Sequence, residues 1–349
     1  MIRLQRSMLK GLTGSDVTVQ SVCSALQSAV ELEHATIPLY LYALYSLDEA
    51  KNAAIAGIIE SVVVEEMLHM TLASNVMNAL GGSPVIDQPG FIPTYPGPLP
   101  GGVESELKVN LAPFSMDQLA AFLQIEEPEN PLVFNLMVTA ETPITIGQFY
   151  TAISDSIAVL GNGAFVNPPR NQVGPDLMRE SVVVTDVATA QQAIQIIIDQ
   201  GEGTSTSPKE QTGGRYAHYY RYMQIQKHQR LVPNPNGHSP ETDYTYSGAA
   251  VPFDPTGVYA VPTNPALPPG YSSGTQQAFA NNNFNYSYTS LLQALHLMFN
   301  GQNTRAEFNR AIGLMMSLKG QAKAMMSGIP NAAVLAGPSF EYQPVNPGV

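Results

Sequence analysis

Glu66 and His69 stand three apart within the stretch from Ile58 to Gly82, IIESVVVEEMLHMTLASNVMNALGG. Ile59, Val62, Val63, Met70, Ala73, Met77 and Leu80 recur three or four apart, which predicts a helix with an apolar stripe. Glu66 lies in that stripe, with His69 beside it on the same face. An ionised carboxylate on a core-facing surface is costly unless something compensates it. A divalent metal ion compensates it, and an imidazole one turn away is a suitable co-ligand.

Other acids interrupt apolar stripes in the same way. The first predicted helix runs through VQSVCSALQSAVELEHATIPLYLYALYSL, with Asp16 and Thr18 as capping residues. Its stripe is Leu26, Val30, Glu33, Ile37, Leu41 and Leu44, so Glu33 belongs to it. Glu31 and His34 form another Glu-x-x-His pair on a more polar face, where solvation accounts for Glu31. Ser115 caps SMDQLAAFLQIEEPEN, in which Leu119, Phe122 or Leu123, and Glu126 share a face, with Glu127 as the adjacent rival. Further on, the amphipathic run from Val187 to Gln200 ends in Gly201-Glu202-Gly203. After a polar loop, helix is expected to resume through RYAHYYRYMQIQKHQRLV, placing His218 on a face with Tyr222, Ile225 and Gln229. In chain order the inventory is Glu33; Glu66 with His69; Glu126; Glu202 with His218. Four carboxylates and two imidazoles, one set per core helix, are what a carboxylate-bridged dinuclear site in a ferritin-like bundle requires. Carboxylate with imidazole suits a dinuclear Fe site, with Mn as the alternative, over copper or a structural zinc.

The elements that must position these residues define an all-α, ferritin-like four-helix bundle. Its third and fourth helices are broken, its connections are long and rich in Pro and Gly, and two helices are added at the C-terminus. Pro128 stops the third helix just after Glu126, and TIGQFYTAISDSIAVLG continues it beyond the excursion ENPLVFNLMVTAETP. Residues 83–113 are the long crossover, and Ser181–Thr185 is a strand-like run. One domain is expected over 1–349: a core bundle over about 16–231, an irregular packed segment over 232–285, C-terminal helices over 286–328 and an extended tail over 329–349. Phe253, Tyr259, Phe279 and Phe284 are expected to be buried, and Phe308, Ile312, Met315, Met316 and Leu318 to anchor the last helix. His228, His296 and His34 are the substitutes should His218 not complete the site.

Net charge is −12 with only 16 Lys+Arg. Nucleic acid and anionic membranes both demand a basic patch, so neither is expected as a partner. The lone Cys23 excludes a disulfide framework and a thiolate cluster. The N-terminal MIRLQRSMLKGLTGSD lacks the apolar core of a signal peptide, and a cytoplasmic location is expected.

The blocks ELEHATIPLYLYALYS, VVEEMLHMTLASNVMNALGGSP, FLQIEEPE, TIGQFYTAI, QGEG, AHYYRY, LLQALHLMFNG and AGPSFEY resemble the ferritin-like family that includes the iminophenylpyruvate dimer synthase domain. That domain occurs in violacein and rebeccamycin pathway enzymes, which couple two imine units derived from indole-3-pyruvate. The resemblance implies a place in oxidative small-molecule metabolism, with Glu33, Glu66, His69, Glu126, Glu202 and His218 as the matching positions. One departure is that a loop separates Glu202 from His218, where the usual fourth helix reads Glu-x-x-His. The expected activity is that of a dioxygen-using, non-haem di-iron oxidoreductase acting on a small amino-acid-derived or aromatic metabolite. Redox-neutral imine coupling and a non-catalytic binding scaffold are the alternatives, and a homo-oligomer is expected by analogy.

Overall fold

The computed structural model describes residues 3–102, 107–128, 144–203, 207–211, 213–240, 242–328 and 335–343, with backbone alone for Ser15 and Glu202. Helix α1, Val19–Tyr45, starts where the Thr18 and Ser21 side chains cap one another's backbone amides. It runs unbroken through Pro38. Helix α2, Glu49–Ala79, packs along it as the most extensive helix pair. This helix begins nine residues before the periodic stretch. Asp48 caps its first turn, and Asn52 anchors it by bonding backbone carbonyls of Asp254 and Gly257. It ends at Gly81, whose φ of +84° is the left-handed conformation that glycine adopts without strain.

Helices α3 (Met116–Glu126) and α4 (Ile146–Leu160) are the two parts of the third bundle helix. Helices α5 (Val187–Glu202) and α6 (His218–Gln226) are the two parts of the fourth. The halves match across the bundle, α3 packing on α6 and α4 on α5. Both breaks therefore fall at one level, beside Glu126 and Glu202. The excursion after Glu126 lies outside the described residues.

Several sequence expectations need correction. Helix does not continue from His218 to Val232. His228 takes a φ of +55°, and Gln229–Pro233 becomes strand β1, pairing antiparallel with β2, Tyr244–Ala250. Gln229 is therefore not on a helical face with His218, and part of the segment taken as irregular is a hairpin. Helix α7, Gln276–Phe299, starts ten residues before 286, because Thr275 caps it. Phe279 falls in that first turn and is 69% exposed, whereas Phe284 is fully buried. In α8, Arg305–Ser327, the buried residues are Ala311, Leu318, Ala322, Met325 and Met326, while Ile312 and Met316 face outward. Ser181–Thr185 is an extended connection without a ladder partner among the described residues. The tail segment AGPSF is buried against α7, where Ser339 bonds Asn281 and Asn285. Among the described residues no helix is long and apolar enough to cross a membrane.

Asn75 ties the bundle to the connection between α4 and α5. Fully buried on α2, it donates to the Val173 and Val182 carbonyls and accepts from the Val173 amide, each at 2.9 Å. Asn75→Ala orphans these backbone groups, and urea denaturation should register a loss of about 3 kcal/mol. A loss below about 0.5 kcal/mol would mean the connection is held by other contacts.

Candidate metal centre

Five of the six residues singled out from the sequence converge in the bundle core. Ligand atoms of Glu33, Glu66 and His69 lie within 4.8 Å of one another, as do those of Glu66, Glu126 and His218. Glu66 belongs to both sets. Its Oε2 lies 3.5 Å from His69 Nδ1 and its Oε1 3.1 Å from His218 Nδ1, so one carboxylate turns an oxygen to each imidazole. Glu33 Oε2 lies 3.4 Å from His69 Nδ1, and Glu126 Oε2 lies 3.3 Å from His218 Nδ1. The two imidazoles stack with centroids 5.4 Å apart.

Neighbouring side chains fix each ligand. Tyr150 donates to Glu33 Oε1 and Tyr40 to Glu126 Oε1, so each outer carboxylate keeps its other oxygen for the centre. His69 Nε2 lies 3.0 Å from Gln200 Oε1, and His218 Nε2 lies 3.1 Å from Glu65 Oε2. A carbonyl or carboxylate oxygen can only accept, so both Nε2 atoms carry hydrogen and donate. The neutral rings then present bare Nδ1 lone pairs to carboxylate oxygens. Lone pairs facing one another at 3.1–3.5 Å repel unless a cation sits among them. That cation is a proton or a metal ion, and the donor set fits the metal.

With protons as the only cations, the electrostatics report the same crowding. Burial pushes the Glu66 carboxyl up and the charge of Glu126 pushes it further, against the pull of His218, leaving it at about 7. Burial pushes His69 down, but Glu33 and Glu66 outweigh it and raise it to about 9. His218 is likewise raised against its burial, by Glu126 and Glu66. For Glu33, burial acts upward, and the His69 partner reverses it to a net lowering.

Glu65 is the residue that sequence reasoning missed. It lies next to Glu66 but faces the opposite way, where Arg221 and Arg215 meet it. Arg221 is itself buried and also donates to Ser61. Burial raises the Glu65 carboxyl, yet His218 and Arg221 hold it at about 2. The doublet Glu65-Glu66 together with an arginine three residues after His218 was the available signal. Tyr150 and Gln200 left none, since neither interrupts its own helix pattern.

The remaining candidates are placed elsewhere. Glu202 ends α5, one residue past Gly201 of the cavity wall, and its side chain lies outside the described residues. Glu127 lines the cavity but belongs to neither ligand set. His34 is buried against Phe91 and pairs with the Tyr288 hydroxyl, 2.7 Å from its Nε2. Glu31 accepts from Gln27. His296 is half-buried and lies 3.4 Å from Asp87, away from both ligand sets. His228 and His238 are exposed. A cavity of about 60 Å³ opens over the cluster, with Leu32, Ile125, Ile146 and Ile197 among its apolar walls.

Comparison with known proteins follows the same lines. No curated protein matches the sequence. Among solved structures, a ferritin-like protein from Caulobacter vibrioides superposes with a TM-score of 0.64 at 23% identity, over 93% of this chain and 99% of that one. A family model described as ferritin-like matches residues 26–227, from within α1 to the end of α6, the span that carries both Glu/His clusters. The chain belongs to the ferritin-like family.

Proposed function

We propose that the protein is a metal-dependent oxidoreductase that holds two Fe ions, or two Mn ions, and uses dioxygen on a small amino-acid-derived or aromatic metabolite. The observation that carries this reading is the shared Glu66, one oxygen turned to each of two histidine–carboxylate sets. Glu33 with His69 would hold one ion, Glu126 with His218 the other, Glu66 would bridge them, and Glu202 would supply the fourth carboxylate. When bound, such a pair supplies two-electron redox chemistry with dioxygen.

The chain's own residues do the rest. Tyr150 and Tyr40 restrain the outer carboxylates, and Gln200 and Glu65 hold both imidazoles in the tautomer that points Nδ1 inward. Leu32, Ile125, Ile146 and Ile197 keep bulk water from the centre. The breaks at Glu126 and Glu202 open the bundle at the level of the ligands, where uninterrupted helices would close it. Location in the cytoplasm and association into a homo-oligomer belong to the same reading.

Redox-neutral coupling of two imines, as in the dimer synthases that the sequence resembles, is the second reading. The test is to load the protein with Fe(II) under nitrogen, admit dioxygen and follow its uptake at an oxygen electrode. Uptake in proportion to bound iron, absent from Glu126→Ala, is expected. Tight iron binding without any dioxygen uptake would overturn the oxidase reading in favour of coupling, and failure to bind metal would leave a ligand-binding scaffold.

A further inference from the structure

A second, larger cavity lies between α2 and the α7–α8 hairpin, on the face of α2 that carries Val64 and Leu68. Its volume is about 630 Å³, within the range of sites that enclose small organic ligands, roughly 300–1,000 Å³. Met67, Met70, Met178, Met298 and Met315 line it together with Leu295. Thioethers adjust their shape to flexible apolar ligands, so this lining suits a chain better than a rigid ring system. Val64 and Ile312 are apolar side chains left 50% and 42% exposed along it. A smaller cavity of about 190 Å³ shares Met67, Met70, Leu295 and Met315 with it and extends the apolar space toward α1.

The charged groups of the wall decide what the ligand's head must be. Glu60 is paired with Lys319 at 2.8 Å. Glu65 is held by Arg221 and Arg215. Arg215 is spent on Glu65, Glu180 and Glu210 together, and Glu180 is spent on Arg215. Arg179 alone among the charged groups of the wall has no hydrogen bond or ion pair to any described residue. It is exposed at the rim, a guanidinium without a partner among the described residues, beside a methionine-lined chamber. A guanidinium binds a carboxylate through two parallel hydrogen bonds, and each buried methylene adds about 0.8 kcal/mol.

We propose that this cavity binds a medium- or long-chain alkanoate, its hydrocarbon chain lying along the methionines and its carboxylate on Arg179. The chamber meets the metal centre only through Glu65, whose carboxylate is already taken by Arg221, Arg215 and His218, and the assignment does not rest on what that centre does.

Isothermal titration with decanoate and with 1-decanol, on the full chain, tests the assignment. Decanoate should bind saturably at one per chain, about tenfold tighter than decanol. Arg179→Ala should weaken decanoate about tenfold, leave decanol unchanged and leave metal content unchanged. Leu295→Trp, which fills the chamber, should abolish binding of both, and the chain's lack of any other tryptophan makes its emission a check that the variant is folded. The proposal is overturned if decanoate does not saturate, if decanol binds as tightly as decanoate, or if Arg179→Ala leaves decanoate affinity intact. Metal content reads the centre independently, so neither reading can fail through the other.

Discussion

Glu66→Gln is expected to reduce bound Fe or Mn from about two ions per chain to about zero, because the carboxylate removed serves both halves of the cluster. Substituting either outer ligand, Glu33 or Glu126, should instead leave about one ion, since each belongs to a single set. Metal analysis after purification without chelators reads both outcomes. A companion measurement separates ligand loss from misfolding. The Glu66 carboxyl is raised to about 7 by burial and by Glu126, so its ionised form opposes folding when only protons compensate it. The opposition is absent well below pH 4.5, where Glu66 is protonated folded or unfolded; it grows as pH rises from about 4.5 to about 7 and is complete above that. The metal-free glutamine variant should therefore melt no lower than the metal-free parent at pH 8, while losing all stabilisation by added Fe(II) or Mn(II). A variant that still gains thermal stability from either ion would show that Glu66 is not the shared ligand.

The second large effect concerns Glu65 and Arg221. Both are buried, and the pair braces His218 from behind. Arg221→Ala leaves the Glu65 carboxylate in the core without its buried partner, and should cost about 3–5 kcal/mol in urea denaturation. Glu65→Gln should cost a comparable amount near neutral pH, because Arg221 is then the uncompensated charge. The pH dependence has a definite sign. The folded carboxyl, at about 2, lies below its ordinary 4.5, so the stabilisation is complete above about pH 4.5 and is lost as pH falls toward 2. The gap between parent and Glu65→Gln should close over that window. A Glu65→Leu/Arg221→Met double variant removes both charges and should recover much of the stability. It should still bind metal about 10–100-fold more weakly, because nothing then holds His218 in its donating tautomer. If the double variant binds metal as the parent does, Glu65 has no part in positioning His218.

Much of the centre is legible in the sequence because helical geometry is local. A carboxylate that falls in an apolar stripe must face the core, and Glu33, Glu66 and Glu126 do so. The same periodicity that marks α1, α2 and α3 as helices marks the residues that violate it. Capping residues are equally local, which is why Thr18 and Ser115 stand where the chain signals them. Where the decisive interaction is remote, the local pattern misleads. Asn52 extends α2 by bonding a loop some two hundred residues away. The apolar face expected of α8 is partly open, because Ile312 and Met316 look onto cavity and solvent rather than helix.

The sequence by itself determined a bundle of amphipathic helices, the breaks beside Glu126 and Glu202, and most of the carboxylates and imidazoles that face inward. All of these follow from spacing along one helix at a time. Only the tertiary structure decided that His218 meets Glu66 and Glu126, because α6 reaches them by packing on α3 after a loop of no fixed geometry. It alone showed Tyr150, Tyr40, Gln200, Glu65 and Arg221 behind the ligands, since a hydrogen bond between helices depends on relative rotation and depth that no single helix encodes. The same holds for Arg179: that it has no partner among the described residues, and that a methionine-lined chamber lies beside it, are facts about three packed helices and a connection, not about any one of them.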